Sequence, residues 1–114
     1  MTEPRLASGI LVSALIRQVE GRGGNGMVLF KGDAIAGGVL VTIADRGRPV
    51  RLLERVHDFD GRQKWQPVGP QDLEKTEEFS DYLARRRRID PDVWVIELDI
   101  ADGERFADEM TGAG

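Results

Sequence analysis

Apolar residues recur at helical spacing through residues 8–22. Leu11, Val12, Leu15, Ile16 and Val19 fall on one arc, and Ser13, Arg17 and Glu20 fall opposite. The pattern predicts an amphipathic helix with Ser8 suited to its N-cap. Gly21, Gly23 and Gly24 should end it, because glycine takes the left-handed position after a helix without a Cβ clash. The periodicity then changes to that of strands. Met27–Lys31 (MVLFK) is a short apolar run bounded by glycine and predicts a buried strand, with a turn at Gly32-Asp33. Gly38–Ala44 (GVLVTIA) is rich in β-branched residues and is the clearest strand. Asp45–Pro49 turns the chain into a third strand over Val50–Phe59. There Val50, Leu52 and Val56 share one face, and Arg51, Arg55 and His57 the other. Asp60-Gly61 is a two-residue hairpin signal, which pairs Phe59 with Arg62 and places Val56 opposite Trp65.

Pro67, Gly69 and Pro70 close the fourth strand. A helix is then predicted from about Glu77 to Arg88. Thr76 suits its N-cap, Glu77 and Glu78 its positive end, and Arg85–Arg88 its negative end. Phe79, Tyr82, Leu83 and Ile89 form its apolar stripe. Asp90 precedes Pro91 and is pushed out of helical geometry, which stops the helix. Val93–Leu98 (VWVIEL) is apolar on both faces apart from Glu97, the mark of a central strand. Asp102–Met110 has the makings of a short last helix. The order helix, four strands, helix, strand, short helix predicts a single α+β domain over residues 1–114, with flexible ends at about 1–5 and 111–114. The expected core is an antiparallel sheet of about five strands. Both main helices should pack on one face, and the last strand should insert beside an earlier one.

Charge narrows the partners. The chain carries a formal net charge of −4, so its overall field opposes binding to a phosphate backbone, and any nucleic-acid role needs a local basic patch. Absence of cysteine removes disulfides, thiolate metal sites and cysteine nucleophiles. The apolar run Gly9–Ile16 falls far short of the ~20 residues of a membrane span. Glu3 offsets Arg5 ahead of it, and no small-residue cleavage signal follows, so the run reads as part of the folded protein. A cytoplasmic protein with no membrane association is expected.

One concentration of charge stands out, at Arg85–Arg88. On the helical wheel Arg86 lies on the apolar arc between Phe79 and Tyr82, so it must pair or reach out to water. Asp90, Asp92 and Glu97 are the acidic partners nearest in sequence. Two readings compete. The first is a salt-bridged helix end that complements the helix dipole. The second is an anion site in which the Arg86 and Arg88 guanidinium forks take a phosphate or carboxylate, with Asp90, Asp92 and Glu97 beside them. Those carboxylates near a strand end also have the chemistry for Mg²⁺, but Asp90 and Asp92 bracket a proline turn, a common structural use of aspartate, and no histidine lies near them. No metal or cofactor is expected. His57 falls on a polar strand face with no base or nucleophile beside it in sequence. The Gly21–Gly26 cluster follows a helix and precedes a strand, the reverse of the phosphate-binding order. No serine sits in a nucleophile-elbow context, and no catalytic residue is assigned. Trp65 and Trp94 are expected to fill core.

Several segments taken together resemble a known family. They are RLASGILVSALIRQVE, the KGD turn followed by AGGVLV, the DGRQKW hairpin, and YLARRRRIDPDVWVIELD with the trailing GERF. The chain is similar over nearly its whole length to the bacterial family known as domain of unknown function 1491. The resemblance implies a stand-alone single-domain bacterial protein and brings no activity, cofactor or catalytic residue with it. The residues themselves favour a non-enzymatic binding or interaction module, with self-association open. The alternative is a small enzyme or sensor holding a phosphorylated or carboxylated metabolite at the arginine-rich helix end. RNA binding through that end is a weaker third reading.

Overall fold

The structure is a computed structural model describing residues 6–112. Its elements are α1 (Ser8–Gly21), β1 (Asn25–Phe30), β2 (Val39–Asp45), β3 (Arg48–His57), β4 (Gln63–Pro67), α2 (Thr76–Ile89), β5 (Trp94–Asp99) and α3 (Gly103–Thr111), in the predicted sequence. The five strands make one sheet in the order β1-β5-β2-β3-β4. As its two-faced apolar pattern required, β5 is interior. The sheet is mixed, however, where an antiparallel one was expected, because β2 and β5 run parallel. The cause is the helix between β4 and β5: α2 carries the chain back across the sheet, the crossover that parallel neighbours need.

Helices cover both faces, which corrects the expectation of one. Val12, Leu15 and Val19 of α1, with Phe106 and Ala107 of α3, pack on Val41, Ile43, Ile96 and Leu98. On the opposite face Phe79, Tyr82 and Leu83 of α2 pack over Leu40, Leu52 and Val95. Every residue from Val39 to Ala44 is buried, so alternate side chains of β2 point into two separate apolar layers. A single roof would leave one layer wet, at about 25 cal/mol for each Å² exposed.

Neither predicted N-cap acts as one. Ser8 is the first residue of α1, and its buried hydroxyl donates to the Gly37 carbonyl and accepts from Arg55 Nη2 at 2.9 Å. The loop before β2 supplies the cap, with Ser8 N–H donating to Ile35 O and Gly9 N–H to Ala34 O at 3.2 and 2.9 Å. Thr76 directs its hydroxyl to Glu74 O, 3.4 Å away. At the far end of α1, Gly24 N–H donates to Val19 O at 2.9 Å. A Cβ at Gly24 would lie 2.3 Å from Asp99 O, so the chain can cross there only as glycine.

The two hairpins differ. Arg46 and Gly47 both have positive φ, 53° and 83°, so the turn expected over Asp45–Pro49 is a tight two-residue one, with Asp45 paired to Arg48. At the β3–β4 hairpin Gly61 has φ 78°, but Asp60 does not join it at positive φ. Asp58 accepts Gly61 N–H on its carbonyl and the Asp60 and Arg62 N–H groups on its carboxylate. That local bonding lengthens the loop and slips the register by one from the expected pairing. Val56 opposes Lys64, Arg55 opposes Trp65, and His57 opposes Gln63. Trp65 still packs against the α1 and α3 core, and Trp94 is buried with its indole N–H on Asp33 O at 2.7 Å.

One further expectation changes. The Met27–Phe30 run forms an exposed edge strand instead of a buried one. Of the expected flexible ends, residues 1–5 and 113–114 lie outside the described residues, while Thr111 closes α3 and Gly112 caps it at φ 79°.

Thr42 lies on the α2 side of the sheet, 2% exposed, and its hydroxyl has no hydrogen-bond partner among the described residues. A buried unsatisfied hydroxyl costs about 1–3 kcal/mol. Thr42→Val is expected to raise the unfolding free energy by about 1 kcal/mol, read as a higher urea midpoint with an unchanged slope. A lower midpoint would show that the hydroxyl is satisfied.

Candidate functional site

The arginine run at the end of α2 is the densest charge feature. No residue of α2 is fully buried, so the helix depends on its half-buried stripe and on what its polar residues reach. Arg86 reaches back over the sheet to β3. Its guanidinium forms a two-pronged pair with Glu54, one prong at 3.2 Å, and donates to the Tyr82 hydroxyl at 2.8 Å. The side chains of Arg86 and Glu54 are 25% and 22% exposed, so the pair is largely shielded from water. The hydrogen bond to Glu54 holds the Arg86 pKa above its ordinary value, against the opposing effect of partial burial.

Arg87 goes the other way, to β1. Its guanidinium carbon lies 3.7 Å from the centre of the Phe30 ring, a cation–π stack, and its Nε is buried without a hydrogen-bond partner among the described residues. Arg85 lies over the Tyr82 ring at 5.7 Å. Arg88 is exposed on the solvent side of the helix. Adjacent arginines thus pin α2 to strands on opposite sides of the central pair.

The acidic residues expected to answer the arginines sit elsewhere. Asp90 shapes the turn after α2: its carboxylate accepts Asp92 N–H at 3.1 Å and its carbonyl accepts Val93 N–H at 3.2 Å. Asp92 is exposed, and its carbonyl accepts Asp33 N–H at 2.9 Å, tying the turn to the loop before β2. Glu97 is half-buried in mid-strand, between Met27 on β1 and Thr42 on β2. The partner of Arg86 is therefore Glu54, in place of Asp90, Asp92 or Glu97. Sequence carried a signal for this: Glu54 is a lone acid on the Leu52–Val56 face of a strand, where a charge needs a partner. Nothing comparable announced the Arg87–Phe30 stack or the buried Arg55, which is 8% exposed and spans Ser8, Leu6 O and Gly37 O.

Other clusters are open and mostly internally paired. A cleft of about 450 Å³ between the β2–β3 turn and the start of α3 is lined by Asp45, Arg46, Arg48, Val50, Asp102 and Glu104. Around it Arg51 pairs with Glu104 at 3.1 Å, Arg48 with Glu74 at 3.2 Å, and Asp45 accepts the Gly103 N–H. Asp33, fully exposed, is held below its ordinary carboxylate pKa by the N–H groups of Ala36 and Ile35. Among the described residues no group of three or more histidine, aspartate or glutamate side chains is placed to share a metal ion.

A further surface comes from the sheet edge. β1 pairs on one side with β5 and leaves its other side open. Met27, Val28, Leu29 and Phe30 are 57%, 40%, 38% and 39% exposed. No helix of the described residues is long and apolar enough to cross a membrane, so this apolar edge is not part of a helical span.

Comparison with known proteins places the chain. The model of the family described as a protein of unknown function, DUF1491, matches residues 6–108. The chain belongs to this family. The resemblance carried by the RLASGILVSALIRQVE and YLARRRRIDPDVWVIELD segments is thereby shown. A crystal structure of a DUF1491 family protein from Caulobacter crescentus CB15 superposes with TM-score 0.75 at 40% sequence identity, covering 87% of this chain and 92% of that one. An NMR structure of a DUF1491 family protein from the same organism gives TM-score 0.73 at 40% identity over 89% and 91% of the two chains. The solution structure of Atu0922 from A. tumefaciens gives 0.70 at 31% identity over 84% and 86%. No curated protein matches the chain. The chain thus shares its fold with these DUF1491 structures, and the family is described as one of unknown function.

Arg86→Ala should destabilise this DUF1491 member by about 2 kcal/mol, since it removes three charge-assisted contacts and strands Glu54 in a shielded place. Thermal unfolding checks this. A melting temperature within a degree of the parent's would mean that the pair contributes nothing to the fold.

Proposed function

We propose that this DUF1491 protein is a cytoplasmic, non-enzymatic interaction module that binds protein by strand addition along β1. One observation carries the reading: the open edge of β1 presents an uncharged, apolar strand to solvent. Edge strands are normally blunted, because their free N–H and C=O groups invite pairing with another chain. The opposite edge follows that rule. β4 (QKWQP) carries Lys64 and ends in Pro67, and its remaining exposed position, Gln66, is polar. β1 has neither charge nor proline within Asn25–Phe30. Strand addition uses the main chain for affinity and alternate side chains for selectivity, and β1 offers both.

The arginine end of α2 supports a metabolite site less well. Arg86 is committed to Glu54 and Arg87 to Phe30, so an incoming anion would have to displace contacts that hold the helix.

A photo-crosslinking residue at position 27, with one at position 64 as the control edge, tests the reading in intact cells of the organism that carries the protein. Covalent protein adducts are expected at position 27 in at least several-fold excess over position 64. Equal yields at the two edges, or none at either, would sink strand addition at β1.

A further inference from the structure

We infer that the partner of the β1 edge is a second copy of this chain, paired antiparallel so that two five-stranded sheets join as one of ten strands. The inference rests on the strand-addition reading and names its occupant.

Charge selects the occupant. The chain carries a formal net charge of −4, so two copies repel over most of their surfaces. Asn25–Phe30 is free of charged residues. Self-pairing there sets no like charges opposite each other, which a cross-strand pair tolerates poorly. An acidic or basic peptide would find no counter-charge on β1, whereas a second β1 brings no charge that needs one. Among the described strands, β1 itself is the one with an open, uncharged, apolar edge: β2, β3 and β5 are interior, and β4 is polar with a lysine and a proline. A twofold axis through β1 therefore supplies the matching edge.

Geometry sets the strength. The register of β1 against β5 is regular from Asn25 to Val28 and shifts between Val28 and Phe30. Pairing is accordingly centred ahead of that bulge, around Gly26 and Met27. The four side chains exposed at 38–57% offer on the order of 300 Å² per copy. A standard stable interface uses about 800 Å² per partner. Antiparallel pairing keeps α1 of both copies on one face of the joined sheet. It also brings the helices side by side, because α1 lies over β1 with Ile16 against Gly26. This extra contact adds to the strand edge without reaching the size of a permanent dimer. The association is therefore weak and concentration-dependent.

Sedimentation equilibrium of the full chain, from low micromolar to near-millimolar concentration, tests this. Met27→Lys is the main variant. Position 27 is 57% exposed and opposite Glu97, so the lysine gains a cross-strand acid and the monomer stays folded. Met27→Ser removes the apolar side chain without adding charge and guards against any misfolding of the lysine variant. Gln66→Lys on β4 is the control. The wild type and Gln66→Lys should dimerise alike, and Met27→Lys should associate at least about tenfold more weakly. Amide exchange within β1 should slow as wild-type concentration rises. A wild type that stays monomeric throughout, or Met27 variants that dimerise like the wild type, would overturn the inference. If position 27 nevertheless crosslinks to a different protein, strand addition survives and only the self-pairing falls. If crosslinking fails as well, both fall.

Discussion

The central pair of strands, β5 beside β2, is apolar on both faces, and most of the architecture follows from that. Val93–Leu98 alternates its side chains between two layers: Trp94, Ile96 and Leu98 go to one, Val93 and Val95 to the other. β2 divides its residues the same way, with Val39, Val41 and Ile43 against Leu40. Strands of this kind are stable only when roofed on both sides. The chain meets the need with α1 and α3 above and α2 below, and the connection through α2 is what makes the central pair parallel. A further antiparallel strand following β4 directly would have left the α2 side of the sheet uncovered.

Of the helices that roof the sheet, α2 has the weakest apolar grip, and its arginines compensate. Phe79, Tyr82 and Leu83 are only half-buried. The Arg86–Glu54 pair and the Arg87–Phe30 stack fix where the end of the helix lies over the sheet, one reaching towards β3 and the other towards β1. Because neighbouring positions on a helix point about 100° apart, two consecutive arginines can straddle the central strands where two separated by a turn could not. The residues after them then matter less for position, which agrees with Arg88 and Ile89 both being exposed. A run that reads as a candidate ligand site is in large part the helix's attachment to the sheet.

Much of this was legible in the residues. Every helix and strand follows from periodicity, β-branching and the glycine, aspartate and proline stops. The interior place of β5 follows from its two-faced pattern. The parallel pairing was less visible, although β2 carried the same two-faced pattern and pointed to a second roof. Three features depended on chemistry that spacing does not encode. Ser8 and Thr76 match the composition of caps, but the loop carbonyls at Ala34 and Ile35 arrive from a distant part of the chain and free Ser8 for Gly37 and Arg55. Asp60-Gly61 matches a two-residue turn, but Asp58 captures the backbone first and slips the register. Arg86 had nearer acids in sequence, and Glu97 even lies on the α2 side of the sheet beside Thr42, yet the carboxylate that Arg86 reaches is Glu54 on β3.

The two sheet edges show where coverage ran out. α1 packs on β1 on the side where Ile16 meets Gly26, and α2 reaches it through Arg87 on Phe30, yet Met27–Phe30 stay 38–57% exposed. An edge so lightly covered would ordinarily be polar, as β4 is, since an exposed apolar strand is a liability in a crowded solution. Substituting polar residues along Met27–Phe30 would disturb little in the core, because these side chains are 38–57% exposed and contribute a minor share of buried surface. Phe30 is the exception, as it anchors Arg87. The fold alone therefore gives a reason for Phe30 to be apolar and little reason for Met27, Val28 and Leu29. Their character is better explained by something that pairs with the edge than by anything the monomer requires.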